Sequence, residues 1–390
     1  MPHLCAIRIK ARLSACLVLA AGLTMGLAMG MMILPGAGVA QTAAQTPDAD
    51  YQRVLDNLLT GVVQPGLEGF ARSTESLSAR IDDFCATPDE AGLQNVQQGF
   101  HDAMDRWQEI QPWRMGPMVA LGRDQHIEYW PDKHGTATRQ FRQLLRSKPD
   151  IYIDRAQIST TSAALQGFPA LEQLLFDQDI AAQLQDGTGD GPYLCAYAGA
   201  IAANLVQISH DLRAEWPEFA DAIRQAGPDS LDYPDARFAA TELYRALHEG
   251  LLIIASQKLA RPLGADAGDA NAKRAESWQS QRSLRNIDHN LKALYAIYDG
   301  SFRGAGESGK GLVALIGNDL LDRSLRLHWH NAFADLDALP SSMVWLLDQP
   351  DGYDRLQAFA DRIAFLTGLV ENDVGRTTGL GGGFNSLDGD

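Results

Sequence analysis

The side chains best suited to binding chemistry fall in three short stretches of this chain. Residues 112–135 mix aromatic, cationic and anionic side chains among glycines and prolines, and a loop of that composition is typical of functional segments. A guanidinium offers a rigid fork to an anionic group, an indole offers a flat apolar wall, and partly buried carboxylates need partners. We therefore predict one ligand-binding cleft lined by Arg123, Trp130, Asp132, Glu172, Arg282 and Ser283.

A catalytic or metal centre has much less support in the sequence. His126, His134 and Glu172 are weak candidates for metal ligands, since they belong to no shared ligand motif. His248-Glu249 is not followed by the second histidine of the His-Glu-x-x-His zinc motif, and the sequence contains no Gly-x-Ser-x-Gly turn. We assign no catalytic residue, and we leave iron or another divalent metal open as a cofactor.

The charge of the chain excludes some classes of partner. The sequence has 49 acidic and 33 basic residues, which gives a formal net charge of -16. Such an acidic protein is not expected to bind nucleic acid or an anionic membrane surface. The expected partner is a small ligand or another protein of the cell envelope, with peripheral membrane contact or none.

The first forty residues have the pattern of a signal peptide. Arg8, Lys10 and Arg12 precede an uncharged apolar run at 13–34, and small residues before Gln41 mark a cleavage site. We predict a signal peptide at 1–40, a polar tether at 41–50 and a periplasmic mature protein. The apolar run is long enough to cross a bilayer, so an uncleaved N-terminal anchor is the alternative.

Two cysteines remain after the leader is removed. Cys85 and Cys195 form a lone pair, and in an oxidising compartment the simplest prediction is one disulfide between them. Two buried free thiols are the alternative.

The elements that must position these side chains are helices. Apolar residues recur at helical spacing through most of the chain, and strand-like alternation is absent, so we predict an all-α protein. The segments that follow Pro169 and Pro340 echo each other, and a second echo pairs 194–211 with 356–373. We interpret these echoes as an internal duplication that gives two helical bundle domains, at 51–228 and 229–390. Both prolines are expected in the first turn of a helix.

With these features together, the chain resembles the imelysin family of exported bacterial proteins. The motifs that carry the resemblance are Arg123-x4-Glu128-Tyr-Trp-Pro-Asp-Lys-His-Gly135, Gly167-Phe-Pro-Ala-Leu-Glu172, Tyr193-Leu-Cys-Ala-Tyr197, Ser280-x-x-Ser283-Leu-Arg-Asn-Ile-x-x-Asn290 and the tail Gly383-Phe-Asn-Ser-Leu-Asp-Gly-Asp390. The resemblance covers essentially the whole mature chain. It implies two helical bundles with a candidate site between them, in proteins tied to iron uptake or regulation and, in some members, described as proteases.

This chain departs from the family at its best-known motif, Gly-x-His-x-x-Glu. Pro169 stands where the histidine is expected, so the nitrogen ligand that could share a metal with Glu172 is missing. We therefore favour an exported binding protein linked to iron over a metal-dependent peptidase or hydrolase. A non-catalytic envelope adaptor is the third hypothesis. On this interpretation Glu172→Ala is expected to weaken ligand binding while barely changing the melting temperature.

Overall fold

The computed structural model describes residues 47–381. Its helices form where apolar side chains recur on one face. The helix Glu90–Ile110 is representative, because Asp89 caps its first turn by accepting a hydrogen bond of 2.6 Å from the Gly92 amide. Its apolar face is buried, as its spacing predicts, through Leu93, Val96, Phe100, Met104 and Trp107.

The first half of the chain holds eight of the helices of the described residues. They are α1 (Asp48–Leu58), α2 (Gln64–Ala86), α3 (Glu90–Ile110), α4 (Arg123–Ile127), α5 (Thr136–Ser147), α6 (Gly167–Phe176), α7 (Gln178–Asp186) and α8 (Gly191–Arg224). Short 3₁₀ turns lie between them at Gly116–Met118, Ala120–Gly122, Asp150–Tyr152, Ile158–Thr160 and Ala163–Leu165. The loop at 112–135, predicted to lack regular structure, therefore contains α4 and two 3₁₀ turns.

The second half adds seven helices and one small hairpin within the described part. The helices are α9 (Ala236–Ile253), α10 (Ala260–Leu263), α11 (Ser283–Asp299), α12 (Asp319–Asp337), α13 (Met343–Leu347), α14 (Gly352–Leu369) and α15 (Gly375–Thr378). Two further 3₁₀ turns are Ala272–Arg274 and Leu312–Leu315. The hairpin pairs β1 (Ser301–Phe302) with β2 (Ala305–Gly306), antiparallel. The prediction of an all-α protein is thus confirmed apart from these four strand residues.

Three π-turns join neighbouring helices without a break. They are Leu59–Val63 between α1 and α2, Ile254–Leu259 between α9 and α10, and Val370–Val374 between α14 and α15. The first of them ends two residues before Pro65, which lies in the first turn of α2. A wider turn accommodates the missing N–H of a proline, which explains why the helical rod continues there.

The helices pack into one compact unit. α2 lies against both α3 and α8, α1 packs on α9, and α11 packs on α3. Elements from the two halves of the sequence therefore share one interface. The largest fully buried side chains of the described residues include Trp107, Trp113, Trp216 and Trp329.

The two sequence echoes differ in how the structure places them. Pro169 lies in the first turn of α6, but Pro340 lies three residues before α13, so the prediction of a first-turn position is wrong for Pro340. The second echo places its residues in α8 and α14, where Leu194 and Leu356 are both buried near the start of the helix.

Cys85 and Cys195 form a disulfide, as predicted. It joins the end of α2 to the first turn of α8, with Cα atoms 5.6 Å apart across 110 residues of sequence. We expect peptide mapping without reductant to recover the two cysteine peptides as one linked species. Alkylation of either cysteine in the native, unreduced protein would contradict this bond.

Several predictions concern residues outside the described range. They are the signal peptide at 1–40, most of the tether and the tail Gly383–Asp390. The last three residues of the predicted tether are helical, because α1 begins at Asp48. Within residues 47–381, none of the helices combines the length and apolar character needed to cross a membrane.

Candidate functional site

Glu172 lies at the wall of a cleft of about 460 Å³. α6 supplies Glu172 and Gln173, the loop before α5 supplies Trp130 and Asp132, and the turn before α11 supplies Trp278. We call this concavity the Glu172 cleft. Three of the six predicted ligand residues, Trp130, Asp132 and Glu172, therefore line one concave site.

The start of α6 is fixed against the loop by Gly167. Its φ is +66°, and a Cβ atom there would lie 2.1 Å from the Ile127 carbonyl oxygen. Only glycine permits both the left-handed backbone and the close approach. This contact sets where the first turn of α6, and with it Glu172, stands relative to the loop at 123–135.

The carboxylate of Glu172 is buried and holds the turn before α11. Its Oε1 accepts hydrogen bonds from the Ser280 amide, at 2.8 Å, and from the Ser280 hydroxyl, at 2.6 Å. Burial raises the pKa of Glu172, although the Ser280 bonds and the charge of Arg282 act in the opposite direction. The residue thus links α6 to a segment more than one hundred positions away.

These bonds change the expected effect of Glu172→Ala. The substitution removes the acceptor of the half-buried Ser280 amide, while the Ser280 hydroxyl keeps the Ser277 carbonyl oxygen at 3.2 Å, so we expect the free energy of unfolding to fall by about 1–2 kcal/mol. Glu172→Gln keeps a carbonyl oxygen and is expected to lose less than half of that. Urea unfolding of both variants measures the difference, and equal stability of Glu172→Ala and the wild type would show that Ser280 finds another partner.

Asp132 caps helix α5 at the rim of the cleft. Its Oδ1 accepts from the Thr136 amide at 2.7 Å, and its Oδ2 accepts from the Ala137 amide at 3.0 Å. Both carboxylate oxygens are therefore engaged by the helix backbone. Trp130, two residues earlier, lines both the Glu172 cleft and a second pocket of about 240 Å³.

Arg123 does not line the Glu172 cleft. Its guanidinium binds Glu215 of α8 through two hydrogen bonds, of 2.6 and 2.5 Å, and also donates to the Pro117 carbonyl oxygen at 3.1 Å. The guanidinium that was expected to bind a ligand is therefore already bound by the Glu215 carboxylate in a bidentate pair. Arg123 instead fixes the loop to α8.

Arg282 and Ser283 lie behind the cleft wall, in the buried interface of α3 and α11. Arg282 is 2% exposed and donates to Asp105 at 2.7 Å, to Asn286 at 2.7 Å and to the His101 carbonyl oxygen at 3.0 Å. Ser283 donates to the Glu276 carbonyl oxygen at 2.5 Å. The predicted cleft therefore includes neither side chain.

The weak metal candidates do not come together. His126 is hydrogen-bonded to the Gln166 side-chain oxygen at 3.0 Å, and His134 is exposed. Within residues 47–381, no three His, Cys, Asp or Glu side chains are grouped so that they could hold a metal ion. The hydrolase hypothesis requires His126, His134 and Glu172 to meet at one point, and in the described chain they do not.

A buried ionic cluster next to the second pocket was missed by the sequence analysis. Lys258 and Glu276 are each 2% exposed, and the Lys258 ammonium lies 2.8 Å from the Glu276 carboxylate. Lys258 also donates to the side-chain oxygens of Gln108, Gln111 and Asn290, at 2.8, 3.0 and 2.6 Å. In the sequence Lys258 directly follows Ser256 and Gln257, so its local pattern does not mark it as buried.

Glu128 is a further member of this cluster. It accepts hydrogen bonds from Trp107, Gln108 and Gln111, and the charge of the Glu276 carboxylate acts on it. Burial, followed by the charge of Glu276, raises the pKa of Glu128 to about 8. The carboxyl group of Glu128 is therefore protonated at neutral pH.

A second network joins α3 to α11 around Asp105. Burial alone would raise the pKa of Asp105, but hydrogen bonds from His289 and Arg285 and the charge of Arg282 hold it well below its usual range. Burial and the charges of Arg282 and Arg285 lower the pKa of His101 to about 4. His101 is therefore neutral at physiological pH and is not free to act as an acid there.

Taken together, the fold and the site define an all-helical protein with a polar, aromatic-walled cleft above a buried ionic interface. A sequence model described as imelysin matches residues 63–370, and the chain belongs to the imelysin family. The chain is 24% identical over 350 residues to "Iron-regulated protein A" of Synechococcus elongatus, covering 87% of this chain and 90% of that relative.

Two solved structures share the fold. An imelysin-like protein from Psychrobacter arcticum superposes with a TM-score of 0.72 at 18% identity, covering 87% of this chain and 99% of the other. A putative iron-regulated protein A precursor from Parabacteroides distasonis gives a TM-score of 0.70 at 16% identity, covering 84% and 96%. At these identities the likeness concerns the fold alone.

Proposed function

We propose that this chain is an exported binding protein of the bacterial cell envelope, linked to iron uptake or regulation. The Glu172 cleft is the ligand site in this proposal, with Trp130, Asp132 and Glu172 at its walls. Arg123, Arg282 and Ser283 act behind those walls by holding the loop, α3 and α11 in place.

The observation that carries the proposal is the construction of the cleft. Side chains from three separate segments meet there, and each segment is fixed by contacts of its own: Gly167 against Ile127, Asp132 at the N-terminus of α5, and Glu172 on Ser280. A concave site with aromatic walls and a few placed polar groups is the usual form of a small-molecule site. The iron link rests on the names of the relatives from Synechococcus and Parabacteroides.

The disulfide supports export. Structural disulfides persist in oxidising compartments such as the periplasm and are rare in reducing ones. The Cys85–Cys195 bond therefore fits a periplasmic protein that has lost a signal peptide at 1–40, or one that keeps it as an anchor.

The proposal also keeps the internal duplication. α8 and α14 bury matching positions, with Tyr197 and Phe359 aligned as well as Ile201 and Ile363. Two helical bundles, at 51–228 and 229–390, would then meet along the α3 and α11 interface. Superposing the two halves on α8 and α14 tests this, and a fit no better than that of two unrelated helices would remove the duplication.

The functional proposal is tested by blocking the cleft. Thr138 is exposed on α5 and lines the cleft, whereas Ser147, on the same helix, lines neither pocket. The ligand source is a small-molecule fraction extracted from cells that produce this protein and are grown with limited iron. We expect this fraction to raise the melting temperature of the wild type and of Ser147→Trp by about 2 °C or more. Thr138→Trp should show no such rise.

The other hypotheses predict different outcomes. An adaptor protein would show no shift with any small-molecule fraction and would instead co-purify with an envelope protein, equally for both tryptophan variants. A hydrolase would consume a peptide substrate and lose that activity when metal is removed by a chelator. Either result would displace the binding proposal.

A further inference from the structure

The Glu172 cleft gathers positive charge in a protein that is strongly acidic. Four basic side chains, Arg142, Arg261, Lys273 and Arg274, line it, although the chain as a whole carries a net charge of -16. They come from three separate elements: α5, α10 and the 3₁₀ turn Ala272–Arg274. A charge run along one helix would be an ordinary solvated face, but a convergence of three elements is a property of the cleft itself.

Three of the four basic groups of the cleft have no acidic partner within residues 47–381, whereas Arg274 pairs with Asp269 at 2.9 Å. Among the described residues, Arg142 and Lys273 have no acidic partner, and the Lys273 ammonium lies over the Trp278 ring, 5.3 Å from its centroid. Arg261 donates to the Asp132 carbonyl oxygen at 3.3 Å. Its Nη1 atom is buried and has no hydrogen-bond partner within residues 47–381. A buried guanidinium nitrogen without a partner leaves a strong donor for a ligand oxygen.

The carboxylates of the cleft are turned toward backbone donors. Asp132 accepts from the Thr136 and Ala137 amides, Glu172 accepts from Ser280, and Asp177 accepts from the Asp179 and Ile180 amides. These groups therefore stabilise the walls, while the free donors are cationic. Outside the cleft, Arg142 also lines a groove with Arg139 and Arg146, so positive charge continues along α5 to the surface.

We propose that the ligand of the Glu172 cleft is a small anion with two or more carboxylate groups. This inference rests on the proposed function and names its ligand class. Arg142, Arg261 and Lys273 bind the carboxylates, and Trp130 and Trp278 pack against the carbon skeleton. Residues 47–381 contain no group of three metal-ligating side chains, so this proposal has iron enter the cleft as a chelate held by the oxygens of the anion.

The test is calorimetric titration of the purified protein with citrate, with gallium(III) citrate as a redox-inert chelate, and with inorganic phosphate. Arg142→Gln and Lys273→Gln remove one exposed cation each and should weaken binding of citrate, of the chelate, or of both, by about tenfold or more. Arg213→Gln removes an exposed arginine of α8 that lines neither pocket, and it should bind as the wild type does. Preference for the chelate would identify the metal-loaded form as the ligand.

Three results would overturn the inference. They are failure of both carboxylate probes to bind, tighter binding of phosphate than of citrate, and equal weakening by Arg213→Gln. The cleft-blocking experiment separates this failure from that of the proposed function. If the cell fraction stabilises the wild type but not Thr138→Trp while citrate and its chelate do not bind, the ligand is not a polycarboxylate but the cleft is still the site. If the cell fraction also has no effect, both proposals fail.

Discussion

Replacing Lys258 with methionine is expected to lower the free energy of unfolding by about 3–5 kcal/mol, because breaking a buried ion pair leaves an uncompensated charge. Methionine keeps most of the volume of the lysine stem. It removes the ammonium that lies 2.8 Å from the Glu276 carboxylate and donates to Gln108 and Asn290. Equilibrium urea unfolding measures the loss.

Lys292→Met is the matched control for this substitution. Lys292 pairs with Asp288 at 2.6 Å on the surface of α11, with about half of its side chain exposed to solvent. An exposed pair is expected to contribute about 1 kcal/mol or less. Adding Glu276→Gln to Lys258→Met should recover part of the lost stability, since it removes the stranded carboxylate. A loss for Lys258→Met no larger than that for Lys292→Met would contradict the buried cluster.

Replacing Glu128 with glutamine is expected to change how stability depends on pH. The folded state holds a proton on Glu128 up to about pH 8, while the unfolded chain releases it near the ordinary value of 4.5. The raised pKa therefore contributes stability that is fully present below about pH 4.5 and is lost as the pH rises toward 8. Glutamine has no such titration and is close in shape to the protonated acid.

The measurement is the difference in unfolding free energy between Glu128→Gln and the wild type at several pH values. Between about pH 5 and pH 7.5, this difference should move in favour of the variant by about 3 kcal/mol, at about 1.4 kcal/mol per pH unit. Glu218→Gln, an exposed position on α8, should show no comparable change over that range. A flat difference for Glu128→Gln would mean that Glu128 is ionised in the folded protein.

Helix spacing in the sequence predicts the long elements but not the segments shaped by local polar contacts. The apolar pattern predicts a short helix at 153–165, yet these residues form 3₁₀ turns. The hydroxyls of Thr160 and Thr161 bind the carbonyl oxygens of Gln157 and Ile158, which competes with a regular helix. Likewise, α11 begins only at Ser283, because the turn before it bends through left-handed residues at Ser277 and Gln281.

The candidate site could be predicted only where its residues act near their own position in sequence. Asp132 and Trp130 lie in one short loop, and their composition was enough to single them out. Arg123, by contrast, is bound by Glu215, 92 residues away, and Arg282 by Asp105, 177 residues away. Nothing in local spacing reveals such pairings, so both arginines looked free. The Lys258 cluster was missed for the same reason, since its partners come from α3 and α11 and from the segments before α5 and α11.

Hydrogen–deuterium exchange of the protein with and without its stabilising small-molecule fraction tests the central claim most directly. If the Glu172 cleft is the ligand site, exchange should slow in the segments that bound it, residues 129–145, 169–177 and 273–280, and Thr138→Trp should abolish that protection. Protection confined to other helices, such as α12 and α14, or protection unchanged in Thr138→Trp, would contradict the account.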